Sequence, residues 1–457
     1  MTYLNQQTKE RQDAHNLIYI IVLGLSFRFI LFYLLSHNWS FAYFADSQYY
    51  ISLAEELNNH LRFSSLLRTP GYPAFLAFIF LFSKSTSLIL FFQILFDCGS
   101  IVLIYLISQR FVSIKYAQFT ALVYAINPLL AIYTTVVLSE TLFVFFLLAS
   151  LLFLLNYPHG NHKSKLIYSS ILLGLATLIK PVSLYLTVIF ILFILFNKGN
   201  RKSFLSPALS FIAPFSIMIF AWMTYNYTTK GYFVFSTSAA TNVIGRHAVY
   251  ALSSSQDITI EAAEQQLFDS MLESSLADSN SFSNWNENPT FLKENLDFAQ
   301  EMILTHWKGY ATSYTIGLMR TVFSPPVGLS IASHYFPGST KIDEADIGDV
   351  QNTVLKSPIQ VSRSFKKRLQ NMSSPAIVFF MFGITYMFGL YHVFFRPVLW
   401  QRSNLREIWI LIATILYFIV VTGPMGHARF RVPIEPFLII LFSYTLYKAA
   451  RRTLDDG

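Results

Sequence analysis

The chain has 457 residues, 54% of them hydrophobic and only 13% charged, with a mean hydropathy of +0.46; soluble domains carry roughly a quarter charged residues, so a water-soluble globule is excluded. The net charge of +8 does not mark a nucleic-acid binder, because the basic residues fall in short loops between apolar runs rather than on one patterned face. The single cysteine, Cys98, excludes an intramolecular disulfide and a thiolate metal cluster.

Crossing a hydrocarbon layer of about 30 Å takes about 20 helical residues. The polar stretch to Asn16 precedes a first apolar run over 17–36, too long for a signal peptide and without a small-residue cleavage site; it reads as a retained span. Further runs fall at 86–108, 115–133, 139–156, 166–180, 181–197, 204–224, 375–395, 408–423 and 432–449. The expected fold is an all-α polytopic membrane protein with about 10–12 transmembrane helices. The apolar segment 72–82 is roughly 17 Å long as a helix, so it is expected to be re-entrant or interfacial, closing a first outer loop over 37–71.

With the N-terminus inside, Arg110, Lys115, Lys163, Lys165, Lys198, Arg201, Lys202, Arg396, Arg402, Arg406, Lys448, Arg451 and Arg452 all fall on the cytoplasmic side, as the positive-inside rule requires. Lys366, Lys367 and Arg368 fall outside and disagree. Three regions follow: an N-terminal transmembrane module over 1–224, an extracytoplasmic loop region over 225–374, and C-terminal transmembrane helices over 375–457. Between Ser255 and Thr305 the loop holds ten acidic residues and one lysine, Lys293, and reads as a small folded or partly folded outer domain. Residues 307–336, interrupted by Arg320, Pro325 and Pro326, read as interfacial or as a pair of short broken spans.

Polar residues gather at the outer ends of these runs. Asp46 lies about ten residues after the first span. Its bland role is to cap the helix that follows. Arg68 precedes the stiff turn Pro70, Gly71 and Pro73, where a snorkelling anchor is the bland role. Glu140 begins a span, where an ionisable group is costly unless the helix N-terminus supports it. Lys180 precedes Pro181 between two runs, and Arg429 and Arg431 sit in the last outer turn. Outer cations are not explained by the positive-inside rule. They call for an anion, and Arg matches phosphate through paired hydrogen bonds. Carboxylates beside them suit general-base or metal work. No Gly-rich nucleotide loop is present, so a nucleotide-sugar donor is not expected.

These residues resemble the polyprenyl-phosphate-dependent glycosyltransferases of the C-type (GT-C) membrane fold, which include protein O-mannosyltransferases and lipid A aminoarabinose transferases. The resemblance rests on Asp46, Tyr50 and Ala54; on Arg68, Pro70, Gly71, Tyr72 and Pro73; on Pro128 with Ser139, Glu140 and Thr141; on Gly174 to Pro181; and on His427, Arg429, Arg431 and Pro433, in order over residues 44–436. It implies that Asp46 is the general base taking the acceptor proton, that Glu140 shapes the site or binds a divalent metal, and that Arg68, Tyr72, Glu140, Lys180, His427, Arg429 and Arg431 form the substrate-binding set. No other cofactor is implied. Many relatives carry Arg where Lys180 stands, and some carry a second acid where Ser47 stands. The implied partners are a polyprenyl-phosphate-sugar donor, membrane lipids and a lipid, glycan or protein acceptor, and the implied location is the bacterial cytoplasmic membrane with an outward-facing site. A single base at the site implies one displacement with inversion.

Two other classes compete. A transporter or flippase of a lipid-linked anion would also place cations at membrane depth, but should show an internal hydropathy repeat, which this chain lacks. A surface-polysaccharide polymerase or ligase is expected to use a large loop rich in Arg and His, whereas the loop over 255–305 is acidic.

Overall fold

The computed structural model describes residues 2–35, 42–43, 46–158, 163–196, 205–274, 284–323 and 405–455. Among these residues only helices and their connections occur. The run at 375–395, the basic cluster at 366–368 and most of the connection at 396–407 lie outside them. The N-terminal half runs α1 (Thr2–Leu35), α2 (Ser47–His60), α3 (Gly71–Phe80), α4 (Thr86–Ser108), α5 (Ile114–Ala125), α6 (Pro128–Tyr133), α7 (Glu140–Asn156), α8 (Lys163–Ile179), α9 (Leu186–Phe196) and α10 (Leu205–Lys230). Next come α11 (Ser238–Asn242), a π-helical turn (Val243–Ala248), α12 (Val249–Gln256), α13 (Ile260–Ser274), a 3-10 turn (Trp285–Glu287), α14 (Pro289–Thr305) and α15 (Trp307–Phe323). The chain ends with α16 (Leu405–Thr422), α17 (Ala428–Arg431) and α18 (Glu435–Asp455).

Four helices among the described residues are long and apolar enough to cross a membrane: Arg11–Leu34, Thr86–Ser108, Leu205–Lys230 and Glu407–Met425. The chain is an integral membrane protein. Of the remaining apolar runs, those at 139–156 and 166–180 form unbroken helices of 17 residues, α7 and α8, and two others are broken. The run at 115–133 is two helices, since the Asn127 side chain accepts from Leu129 N–H at 2.9 Å and Leu130 N–H at 3.2 Å, starting α6 afresh with Pro128 in its first turn. The run at 181–197 opens with a 3-10 turn over Pro181–Leu184 that leaves α9 only 11 residues. The apolar segment near 72–82 is the 10-residue α3, roughly 15 Å long at 1.5 Å per residue. These breaks set polar residues at helix ends on one side of the bundle.

Helices facing lipid gain little from hydrophobic association, so close packing and hydrogen bonds join them. α7 packs against both α4 and α8. Ser150 and Ser169 each donate to the other's carbonyl, at 2.7 and 2.9 Å, joining α7 to α8. Inside the bundle, Arg28 of α1 pairs through Nε with Asp97 of α4 and donates to the Ala125 carbonyl of α5 at 2.7 Å. Tyr124 donates to the second Asp97 oxygen at 2.8 Å. This pair ties three helices together, and both partners are intramembrane ions whose positions inside apolar runs were a sequence signal left unread.

One large buried cluster joins α3–α5, α7–α10, α16 and α18. A second joins the π turn to α12, α13 and α14 through Ile244, Tyr250, Leu252, Leu267, Met271 and Leu292. The acidic stretch is thus folded around its own apolar core. A third cluster, Leu53, Phe63 and Trp222, fastens the first loop to the end of α10.

Candidate active site

Asp46 occupies the N-cap position of α2, with φ −84° and ψ 0°, yet its side chain makes no capping bond. It accepts from Arg68 Nη2 at 2.5 Å on one oxygen and from Arg429 Nη1 at 2.8 Å on the other. Capping therefore does not account for this carboxylate. Arg429 turns its Nε to Glu140 Oε1, which also accepts from Lys180 Nζ at 2.8 Å. Two carboxylates and three cations form one chain of ion pairs, Arg68 to Asp46 to Arg429 to Glu140 to Lys180, with a net charge of +1.

Local sequence explains each position. Gly71 has its Cα against the backbone of Leu178 and Ile179, where a Cβ would sit 2.6 Å from the Leu178 carbonyl carbon. That close approach brings the loop carrying Arg68 up to the end of α8, where Lys180 follows. Pro181 then stops the α8 hydrogen-bond ladder. The turn before Arg429 uses Gly423 at φ +62° and Gly426 at φ +38°, and a Cβ on Gly426 would sit 2.0 Å from the Gly317 carbonyl oxygen. Only glycine fits there. His427 caps α17, its Nδ1 accepting the Arg429 N–H at 3.0 Å. Burial, then the Arg429 charge, lowers the imidazole to about 4, so the ring is neutral at pH 7.

The two carboxylates differ in access. The Asp46 side chain is 22% exposed and the Glu140 side chain 0%, so only the Asp46 carboxylate is open to solvent. Glu140 anchors two of the cations, with Oε2 buried and without a hydrogen-bond partner among the described residues. Arg68 lies over the Tyr50 ring at 5.6 Å, and Lys180 over Phe143 at 5.9 Å.

Four of the expected site residues other than Asp46 meet here: Arg68, Glu140, Lys180 and Arg429. Tyr72 lies beneath, its hydroxyl donating to Gln93 at 2.6 Å and its ring edge-on to Tyr50. Arg431 faces away from the Asp46 carboxylate, donating to Glu435 at 2.7 Å and to the Val322 carbonyl. Alternate residues on the four-residue helix α17 point to opposite sides, which separates the two arginines. A divalent metal at Glu140 does not fit the donor set, because the guanidinium of Arg429 already joins the two carboxylates and the remaining neighbour is a lysine. Among the described residues no group of three metal-ligating side chains forms.

One site-supporting residue escaped sequence reasoning. Glu287, in the 3-10 turn Trp285–Glu287, accepts from Tyr49 Oη, from Ser65 Oγ at 2.6 Å, from Leu66 N–H and from Leu67 N–H at 2.7 Å. Thr237 N–H donates to the Leu66 carbonyl at 2.9 Å, while Ser236 and Ser238 donate to that of Leu67. Residues 236–238 and Glu287 thereby grip the three residues before Arg68. Glu287 is one of ten acids in its stretch, and nothing in its neighbourhood distinguished it.

Residues 68–225 match the family described as dolichyl-phosphate-mannose-protein mannosyltransferase. Among solved structures, the archaeal oligosaccharyltransferase AglB from Archaeoglobus fulgidus, in complex with an inhibitory peptide and a dolichol-phosphate, aligns with TM-score 0.50 at 13% identity over 97% of this chain and 52% of that one. The chain has the GT-C fold. The apo form of the same oligosaccharyltransferase aligns with TM-score 0.50 at 12% identity, covering 97% of this chain and 52% of that chain. This GT-C chain thus spans about half the length of the structures it matches. No curated protein matches its sequence. The family match starts at Arg68 and includes Glu140 and Lys180; Asp46 and Arg429 enter the site from outside it.

Proposed function

We infer that this protein is a glycosyltransferase that takes a sugar from a polyprenyl-phosphate donor at the outer face of the cytoplasmic membrane and passes it to a lipid, glycan or protein hydroxyl. The observation that carries this reading is the Asp46 carboxylate held between Arg68 and Arg429 at an accessible position, inside a GT-C fold. The match to a dolichyl-phosphate-mannose family and the likeness to a structure holding a dolichol-phosphate support a lipid-phosphate donor.

In the proposed step, Asp46 accepts the proton of the acceptor hydroxyl as its oxygen attacks the anomeric carbon. The bond from that carbon to the phosphate oxygen breaks, and its electron pair leaves on the polyprenyl phosphate. One displacement inverts the anomeric centre. Cations aimed at the developing charge lower the barrier without reorganising. Arg68 and Arg429 also fix the Asp46 carboxylate, so that one lone pair faces the acceptor rather than rotating.

The test is single-turnover transfer by purified protein from a synthetic glycosyl polyprenyl phosphate, with mass spectrometry of the cell envelope from strains with and without the protein to name the product. Envelopes of identical mass, together with no turnover of any polyprenyl-phosphate sugar, would overturn the assignment.

A further inference from the structure

The described residues contain a second cationic position that the ion-pair chain does not use. Arg28, Arg68, Arg110, Arg429 and Arg431 are each paired with a carboxylate. Arg320 of α15 is not, and its Nη2 is buried without a hydrogen-bond partner. The Tyr250 hydroxyl of α12, on a side chain 1% exposed, is also buried without a partner. Buried polar groups are ordinarily satisfied, and a buried guanidinium nitrogen and a buried hydroxyl that each lack a partner are costly unless something else completes them.

Packing places α15 between α12, which carries Tyr250, and the turn that leads to Arg429. Ser313 of α15 donates to the Tyr250 carbonyl at 2.8 Å, and Ser254 and Ser313 hydroxyls meet at 2.5 Å. Further along α15 the Gly317 backbone lies against Gly423, Pro424 and Gly426, and the Val322 carbonyl accepts from Arg431. Arg320 lies between these contacts, on the stretch of α15 that packs against the turn carrying His427 and Arg429. Its charge is felt by both Tyr250 and His427. The cations of the Asp46 chain are tied to carboxylates, whereas Arg320 has no carboxylate partner among the described residues.

We propose that Arg320 and Tyr250 form the subsite that holds the phosphate of the polyprenyl carrier, before transfer as the donor's linking group and after transfer as the product's phosphomonoester. This rests on the glycosyl-transfer reading above. The guanidinium donates to a phosphate oxygen and balances its charge, and the Tyr250 hydroxyl donates to another. The sugar then extends from this phosphate toward Asp46, and the electron pair released at the anomeric carbon arrives on an oxygen already facing Arg320.

The experiment is binding of a fluorescent polyprenyl phosphate to the full-length protein in phosphatidylcholine nanodiscs, with thermal unfolding of each variant followed in parallel. Arg320→Gln should weaken binding on the order of ten- to a hundredfold, as loss of a hydrogen bond to a charged group predicts. Tyr250→Phe should weaken it up to about tenfold with an unchanged or raised Tm, since it removes an unsatisfied hydroxyl. Unchanged affinity in Tyr250→Phe and in Arg320→Gln would overturn the subsite while leaving transfer by the wild type intact. Displacement of the probe by an equal mole fraction of phosphatidylglycerol would make it a general lipid-headgroup site, and saturation by inorganic phosphate with no gain from the prenyl chain would make it a free-phosphate site; either overturns the proposal. Wild-type protein that binds no polyprenyl phosphate would overturn the transfer reading as well.

Discussion

Arg429 and Asp46 are 383 residues apart in the chain, and Nη1 of one donates to the carboxylate of the other at 2.8 Å. The same guanidinium reaches Glu140 through Nε, so the turn between α16 and α18 closes a site whose carboxylates come from the first 140 residues.

Asp46→Asn tests the base. Asn caps helices about as well as Asp, and the Asp46 side chain makes no capping bond, so fold and expression should survive. Transfer should fall by about 10²- to 10⁴-fold in kcat, read by single-turnover assay. Wild-type activity would return Asp46 to a structural role.

Arg429→Lys and Arg431→Lys should part company. Lysine keeps the charge of Arg429 but cannot place separate N–H groups on Asp46 and Glu140, and kcat/KM for the lipid donor should drop on the order of tenfold to a hundredfold. Arg431 serves Glu435 and a backbone carbonyl, so Arg431→Lys should lower Tm more than it lowers kcat/KM. Lys163→Gln, at the opposite end of α8, is the control and should leave both unchanged.

Glu287→Gln should loosen the Arg68 loop from a distance. Its carboxylate takes four hydrogen bonds from Tyr49, Ser65, Leu66 and Leu67, and hydrogen bonds to charged groups are worth roughly 1.5–3 kcal/mol each. Amides of Leu66 and Leu67 should exchange on the order of tenfold faster by hydrogen–deuterium exchange, with kcat reduced and Tm nearly unchanged. Exchange rates equal to wild type would show the loop held instead by Thr237 and by Lys230, whose Nζ donates to the Ser65 carbonyl at 2.7 Å.

Breaking the buried pair should cost more than removing it. Asp97→Leu leaves Arg28 charged among apolar neighbours and should destabilise by about 3–5 kcal/mol, while Arg28→Leu with Asp97→Leu together should recover much of that loss. Thermal unfolding of the double-mutant cycle in detergent measures both. A double variant no more stable than the worse single variant would contradict the prediction.

His427 should make stability fall on acidification. Its folded value, lowered to about 4 from 6.5, means that the unfolded chain binds the proton first as pH drops. The contribution is absent above about pH 7 and grows as a penalty between 6.5 and 4, on the order of 3 kcal/mol at most. His427→Asn keeps an acceptor for the Arg429 N–H and should flatten that part of the Tm-against-pH curve. An unaltered slope would place the titration elsewhere.

The sequence alone determined the membrane class, because 54% hydrophobic residues leave no other way to bury the apolar surface. It also exposed Asp46, Arg68, Glu140, Lys180 and Arg429, since a charged residue at the end of an apolar run is costly enough to stand out locally. The number of full-length helices was not legible at that level. Hydropathy averages over Asn127 and Pro128, whose capping splits one run in two, and over Pro181, which shortens the next. Only tertiary structure decided which cation serves which carboxylate. Arg429 and Arg431 are equivalent in composition and spacing, and the rotation of one short helix sends the first to Asp46 and the second to Glu435. The same holds for Glu287 and Arg320: what sets them apart is the partner each has or lacks across a distance of many residues, and such contacts are fixed by packing rather than by neighbours along the chain.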